Sequence, residues 1–300
     1  MFNFFKPKLT IATHNGRFHP DDVFAVAVLD MVFEKKYKIK VVRTRDMEII
    51  KKADMVVDIG GEYEPDKGKF DHHQIGGADK RDNGIPYASF GLVWKKYGEM
   101  LCGGKEVADE IEKLLAEPTD AGDSGVEIVI KKYEGVHPYA VYDIMETFMP
   151  SWKENFSFDR VFGPAVVFAK KIIQREIVLH KDKLEAVALV ENIYKNSDDK
   201  RLLVLPKHYS FGGYTKKFPE LLFVVFPNVD GEWALKTIQD DPDTFVNRKN
   251  LPESWAGKGG QELEKITGVH GSIFCHPNLF VAKAKTKEAI LKLAEIALNS

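Results

Sequence analysis

The chain has 300 residues, an apolar fraction of 44%, a charged fraction of 29% and a formal net charge of −2. These values describe an ordinary globular protein that is long for one hydrophobic core, so two domains are expected. They exclude binding of nucleic acid through bulk positive charge. A local basic groove stays compatible with them, because steering depends on the field at a site.

Cys102 and Cys275 lie far apart and form neither a metal-ligand spacing nor a disulfide framework. A reducing compartment, and by default a cytoplasmic location, is the expectation. The opening MFNFFKPKLT is too short and too quickly polar for a secretory signal, and no apolar run reaches the length of a membrane span.

In chain order, Leu9 to Thr13 reads as a strand that feeds a His14-Asn15-Gly16 loop. DDVFAVAVLDMVFEKK, starting at Asp21, reads as a helix with acidic residues first and lysines last. KIKVVRTR is a strand, Met47 to Lys52 a short polar helix, and MVVDIGG a buried strand ending in Asp58. This β-α-β-α-β order predicts a parallel sheet with right-handed crossovers and helices on both faces. Ligands of such sheets bind beyond the carboxyl ends of the strands, where His14 and Asp58 both fall. Helices follow at Ser89 to Tyr97 and Val107 to Ala116, then the run PYAVYDIMETFMPSW.

Pro150 and the polar stretch to Ser157 read as a junction, and residues 160–196 as one or two bridging helices. The final hundred residues change to strand candidates: LLVLP, LLFVVFPN, EWALKTI, GSIFC and Asn278 to Lys283, with Asp230-Gly231 as a hairpin turn. KEAILKLAEIAL closes the chain as an amphipathic helix. The expected organisation is a catalytic α/β domain over 1–150, a helical linker over 151–200 and a smaller α+β domain over 201–300.

Four of nine histidines fall within the first 73 residues, each beside carboxylates or a glycine turn. Imidazole with carboxylate suits manganese, iron, cobalt or zinc better than calcium. Two ions about 4 Å apart need several such ligands, one carboxylate bridging both. Taken singly the residues have plainer readings. A strand-end His14 is often a surface or core residue, and the aspartates of FHPDD can start a helix without metal. Asp58 is harder to dismiss, since burying a carboxylate costs several kcal/mol unless something pairs it.

The ordered motifs HNGxFHxDD (His14 to Asp22), VVDIGGEY (Val56 to Tyr63), FDHHQ (Phe70 to Gln74) and TDAGDSG (Thr119 to Gly125) resemble the DHH phosphoesterase superfamily. Within it, RTRD at Arg43 to Asp46 and LPESWAG at Leu251 to Gly257 extend the likeness to the melanocyte proliferating gene 1 family of metal-dependent hydrolases. The resemblance implies an N-terminal DHH-type sheet domain that holds two divalent ions, manganese first, with magnesium, cobalt, iron or zinc as alternatives. His19, Asp21 and a nearby His14 then match the first motif, Asp58 the bridging carboxylate, and His72 the histidine ligand. His73 stands behind the ligands or faces the substrate phosphate. Asp120 and Asp123 both match the single aspartate of the fourth motif. The first motif departs from the usual Asp-x-Asp by offering His19-Pro20-Asp21-Asp22.

The resemblance also implies a phosphodiesterase that trims RNA or short oligonucleotides from the 3′ end. Asp58 then holds both ions, and His73, Arg43 or His276 stabilises the departing group. A nucleotide phosphatase, a pyrophosphatase-like hydrolase and a non-catalytic metal-binding regulator are the alternative readings. Arg43 and Arg45, expected exposed by strand alternation, are candidates for substrate contact. In the C-terminal part, Lys258 within SWAGKGGQE and His276 within FCHPN are candidates to hold a phosphate.

Overall fold

The computed structural model describes residues 6–209, 217–240 and 246–300. The chain divides into two compact units, Met1–His180 and Lys181–Ser300. Where the sequence suggested a linker over 151–200, there is one continuous helix, α7 (Phe158–Lys195), and the division falls inside it.

The first unit is built on strands β1 (Lys8–Thr13), β2 (Lys38–Arg43), β3 (Met55–Val57), β4 (Tyr63–Glu64) and β5 (Lys69–Phe70) in the order β2-β1-β3-β5-β4. All neighbours are parallel except β4, which runs against β5. That β4–β5 hairpin of two-residue strands lies below what period-2 patterning can reveal, and the sequence reading missed it. From β1 the chain passes through helix α1 (Pro20–Phe33) outward to β2, then through the short α2 (Met47–Ile50) back across the sheet to β3. Right-handed crossovers in opposite directions place α1 and α2 on opposite faces. The strand order therefore reverses between β1 and β3, which opens a crevice at their carboxyl ends.

After Asp21 and Asp22 of its first turn, helix α1 is apolar around its whole circumference as far as Leu29, and Pro20 to Leu29 are all buried. It packs on α3 (Ser89–Cys102), and with Ile11, Phe70, Phe90, Trp94, Ile111, Phe162 and Ile173 it makes one core. Each such large apolar side chain contributes about 1.5–3 kcal/mol on burial. Helix α4 (Lys105–Ile111) does not stop at Ala116 as expected. It continues through a wider, π-helical turn at Glu112–Ala116 into α5 (Glu117–Asp123). Of the PYAVYDIMETFMPSW run, only α6 (Val141–Glu146) is helical.

The second unit is an α+β layer with strands β6 (Leu202–Val204), β7 (Phe223–Pro227), β8 (Trp233–Thr237), β9 (Ser272–Cys275) and β10 (Val281–Ala284) in the order β6-β7-β8-β10-β9. Only β6–β7 is parallel. Asp230-Gly231 forms the β7–β8 turn, with Gly231 at φ 83°. Helix α8 (Gly260–Thr267) precedes β9, and α9 (Lys287–Asn299) lays Ile290, Leu293, Ala294 and Ala297 on the sheet. The chain is thus an α/β protein with a parallel-sheet unit and a second sheet unit. No helix among the described residues is long and apolar enough to cross a membrane.

Candidate metal centre

The parallel register explains why distant residues meet. Thr13, Val57 and Phe70 end three neighbouring strands, so His14, Asp58 and Asp71 emerge side by side. Asp58 adopts φ 56°, a left-handed conformation that aspartate tolerates better than most side chains. Its Oδ2 lies 3.2 Å from His14 Nε2 and its Oδ1 3.1 Å from His72 Nε2. Ser89 Oγ adds a hydrogen bond to Oδ1 at 3.3 Å. Burial pushes the Asp58 carboxyl up, but these histidines hold it well below the ordinary range.

His14 Nδ1 faces the Asn15 carbonyl at 3.2 Å, and a carbonyl only accepts, so Nδ1 carries the proton. Nε2 is then directed at two carboxylates, Asp58 and Asp22, the latter at 3.3 Å. Such a nitrogen needs either a second proton or a shared cation. Burial pulls the His14 pKa down, yet the contacts with Asp58 and Asp22 leave it raised. His72 Nε2 also lies 3.3 Å from Asp123 Oδ2 and 3.8 Å from Asp21 Oδ2.

Helix α1 begins at this point. His19 N–H donates to Asp22 Oδ1 at 3.0 Å, and Thr13 Oγ1 lies 3.5 Å from Oδ2. Asp22 therefore caps the helix, with its pKa pushed to about 7 by burial and then by Asp58. Asp21, in the same turn, is 0% exposed, and neither of its oxygens has a hydrogen-bond partner. Burial, then the charges of Asp58 and Asp123, raise its pKa well above the ordinary value.

Ligand atoms of His14, His19 and Asp58 lie within 4.8 Å of one another, as do those of Asp58, His72 and His73, and those of His19, Asp21 and Asp123. The three sets overlap at Asp58 and His19. A buried carboxylate without a donor and a histidine nitrogen facing carboxylates are what a divalent cation would satisfy. The donor set of nitrogens and oxygens fits a transition ion.

Of the two fourth-motif candidates, only Asp123 joins these sets. Asp120 is 0% exposed but turned elsewhere, accepting from Arg81 Nη2 at 2.8 Å and Gly91 N–H at 3.0 Å. Gly91 is required there, since a Cβ would sit 1.8 Å from Asp120 Oδ2. His73 is held through Nδ1 by Asp71 Oδ1 at 2.7 Å, which raises it to about 9. With Arg45, His14, His19, Asp58 and Asp71 it lines a cavity of about 350 Å³.

Arg43 does not behave as alternation suggested. Its side chain is 5% exposed, ion-paired to Asp159 and packed 4.5 Å from the Phe162 ring centroid. Nη2 donates to the Gly16 carbonyl at 2.7 Å, so Arg43 props up the loop between His14 and His19 and does not line the cavity. In the second unit, Lys258 pairs with Glu262, one turn away along the chain. His276 Nδ1 accepts from Asn278 N–H at 3.0 Å, and its ring lies 4.3 Å from that of Phe280. The sequence reading missed Asp22, Ser89, Arg81 and Tyr142, whose hydroxyl reaches Asp123. Only Asp22 had a local signal, and its helix-capping role masked it.

Histidines and aspartates gathered at the carboxyl edge of a parallel sheet make a set that could hold a divalent ion. Residues 10–298 match the MYG1 exonuclease family, described as "Uncharacterised protein family (UPF0160)", and the chain belongs to that family. It is similar to the MYG1 protein of Dictyostelium discoideum, at 29% identity over 97% of both chains. The MYG1 protein of Saccharomyces cerevisiae is 30% identical, covering 96% of this chain and 95% of the relative. For the MYG1 exonuclease of Homo sapiens the identity is 28%, over 96% of this chain and 85% of the relative.

Among solved structures, RecJ in complex with Mn2+ from Thermus thermophilus is 11% identical, over 97% of this chain and 52% of that one, with a TM-score of 0.27. An exopolyphosphatase-related protein from Bacteroides fragilis is also 11% identical, over 97% and 92%, with a TM-score of 0.24. At that level of overlap, the architecture rests on the strands and helices described above.

Proposed function

We propose that this chain is a metal-dependent phosphodiesterase, an exonuclease that removes residues from the 3′ end of RNA or short oligonucleotides. The observation that carries this reading is Asp21, whose buried carboxylate lacks any donor and sits among Asp58, Asp123 and His72. Membership of a family whose mammalian relatives are named exonucleases supports the choice of substrate class.

His14, His19, Asp21, Asp58, His72 and Asp123 would hold two divalent ions, manganese being the first choice for this mixture of donors. When bound, such ions supply a water-derived nucleophile near neutral pH and neutralise charge growing on the phosphoryl oxygens. The chain's own residues do the rest. Asp58 turns one oxygen towards His14 and the other towards His72, which places it between the two halves of the ligand set. Asp71 clamps His73 through Nδ1 and leaves Nε2 for the cavity, where a protonated ring would donate to the departing oxygen. Arg45, on the cavity wall, is placed to meet a second phosphate.

The test is a panel of single-stranded RNA, single-stranded DNA, dinucleotides and pyrophosphate, each labelled at a known end, with metal-stripped protein and added manganese. Stepwise loss from the 3′ end of RNA, abolished by chelation, is the expected result. Release of phosphate from pyrophosphate with intact RNA would overturn it.

A further inference from the structure

Asp123 ends α5, and the only turn of helix between Gly125 and Phe156 is α6, which carries Tyr142. The Tyr142 hydroxyl donates to Asp123 Oδ1 at 3.2 Å, while Oδ2 of the same carboxylate faces His72 Nε2 at 3.3 Å. Oδ1 also lies 4.0 Å from His19 Nδ1, so both oxygens face histidines of the site. A hydroxyl that donates to one lone pair of Oδ1 fixes the carboxylate plane between them and leaves the other lone pairs for a cation.

The ring is seated as specifically as the hydroxyl. A Cβ at Gly122 would lie 2.6 Å from Tyr142 Cε2, so this position in α5 has to be glycine for the ring to pass beneath the helix. Helix α5 is fixed from its other side by the contact of Asp120 with Gly91 and Arg81. With the helix held there, the remaining freedom of Asp123 is rotation of its own side chain. The Tyr142 hydroxyl removes that freedom.

We propose that Tyr142 is a positioning residue that fixes the orientation in which the Asp123 carboxylate meets a metal ion; this rests on the reading of Asp123 as a ligand. Groups behind a ligand that orient it are worth about ten- to hundredfold in metal affinity. Tyr142→Phe keeps the ring against Gly122 and removes only the hydrogen bond.

The experiment is calorimetric titration of metal-stripped protein with manganese, alongside thermal unfolding without metal. Tyr142→Phe should bind manganese about ten- to hundredfold more weakly, with the metal-free unfolding midpoint unchanged. Its activity should recover as manganese is raised, which a loss of packing would not allow. Gly122→Ala, which displaces the ring without altering either polar group, should weaken binding in the same way. It carries the test if Tyr142→Phe does not fold. Asp123→Asn is the control that separates the two ideas. If Asp123→Asn binds manganese as the unmodified protein does, the ligand reading itself fails. If Asp123→Asn loses affinity while Tyr142→Phe and Gly122→Ala keep it, Asp123 is a ligand and the positioning role of Tyr142 is overturned.

Discussion

Asp21 and Asp120 are both fully buried aspartates of the first unit, and both have raised pKa values, yet their surroundings are opposite. Asp120 has Arg81, a backbone N–H and a glycine cut to its shape. Asp21 has no donor and feels the charges of four other carboxylates, Asp58, Asp123, Asp22 and Asp120. A buried charge matched from within the chain is part of the fold. One left unmatched has to take up a proton or a partner from outside, and that distinction is legible in hydrogen bonds before any ligand is seen.

The widest separation should come from replacing Asp21. Asp21→Asn should lose manganese affinity by more than about a hundredfold, beyond the range for residues that merely orient ligands. The same change should stabilise the metal-free protein, because repulsion from Asp58 and Asp123 disappears. A pH series sharpens this. The raised carboxyls of Asp21 and Asp22 bind protons in the folded chain that the unfolded chain has already released. Metal-free stability therefore falls as pH rises from about 4 through about 7, and Asp21→Asn should flatten that slope. Thermal unfolding with chelator at several pH values reads it directly, and an unchanged slope would remove Asp21 from the argument.

Asp120→Asn should do the reverse. It removes one of the two carboxylates paired with Arg81, Glu112 remaining at 3.0 Å, which costs about 1–3 kcal/mol of stability, while manganese affinity in the protein that remains folded stays near the unmodified value. Denaturant unfolding beside metal titration decides it, and a large loss of affinity would return Asp120 to the ligand set.

Within the triplet the contrast is smaller. His72→Ala should weaken manganese binding, and His73→Ala should keep it but lose turnover, since His73 leans on Asp71 at the cavity wall. Equal loss of metal in both would make the pair one functional unit. The smallest effects are expected in the second unit. Lys258 is already engaged with Glu262, and His276 Nδ1 with Asn278. Lys258→Ala and His276→Ala should each lower catalytic efficiency on RNA by at most about tenfold, equivalent to some 1.4 kcal/mol, and leave a minimal chromogenic diester untouched. Equal losses on both substrates would place them at the reacting phosphate.

How much of this was legible in the sequence follows from the range of the interactions. Strand ends are local, so His14, Asp58 and the Asp71-His72-His73 triplet were visible from apolar runs that stop at polar residues. The choice between Asp120 and Asp123 was not, because it depends on Arg81, Gly91 and Tyr142 arriving from elsewhere in the chain. Arg43 was misjudged for the same reason. Alternation along β2 could not foresee that Phe162 of α7 would cover it. The β4–β5 hairpin and the joining of α4 to α5 escaped because each is shorter than the window in which periodicity can be seen.

The wide turn at Glu112–Ala116, where Glu117 N–H donates to the Glu112 carbonyl, gives the chain a different route to change than point substitution. An ordinary α-helix advances each residue by about 100°, and a π turn accommodates one more residue than that winding would. The turn absorbs that residue, so Asp120 and Asp123 downstream keep the phase they would have in a regular helix one residue shorter. Deleting a single position within the turn would regularise the helix and leave both aspartates facing Arg81 and His72, whereas deleting one between the turn and Asp120 would swing both about a quarter-turn around the axis. Insertion and deletion, more than replacement, are the changes to which this edge of the centre is keyed.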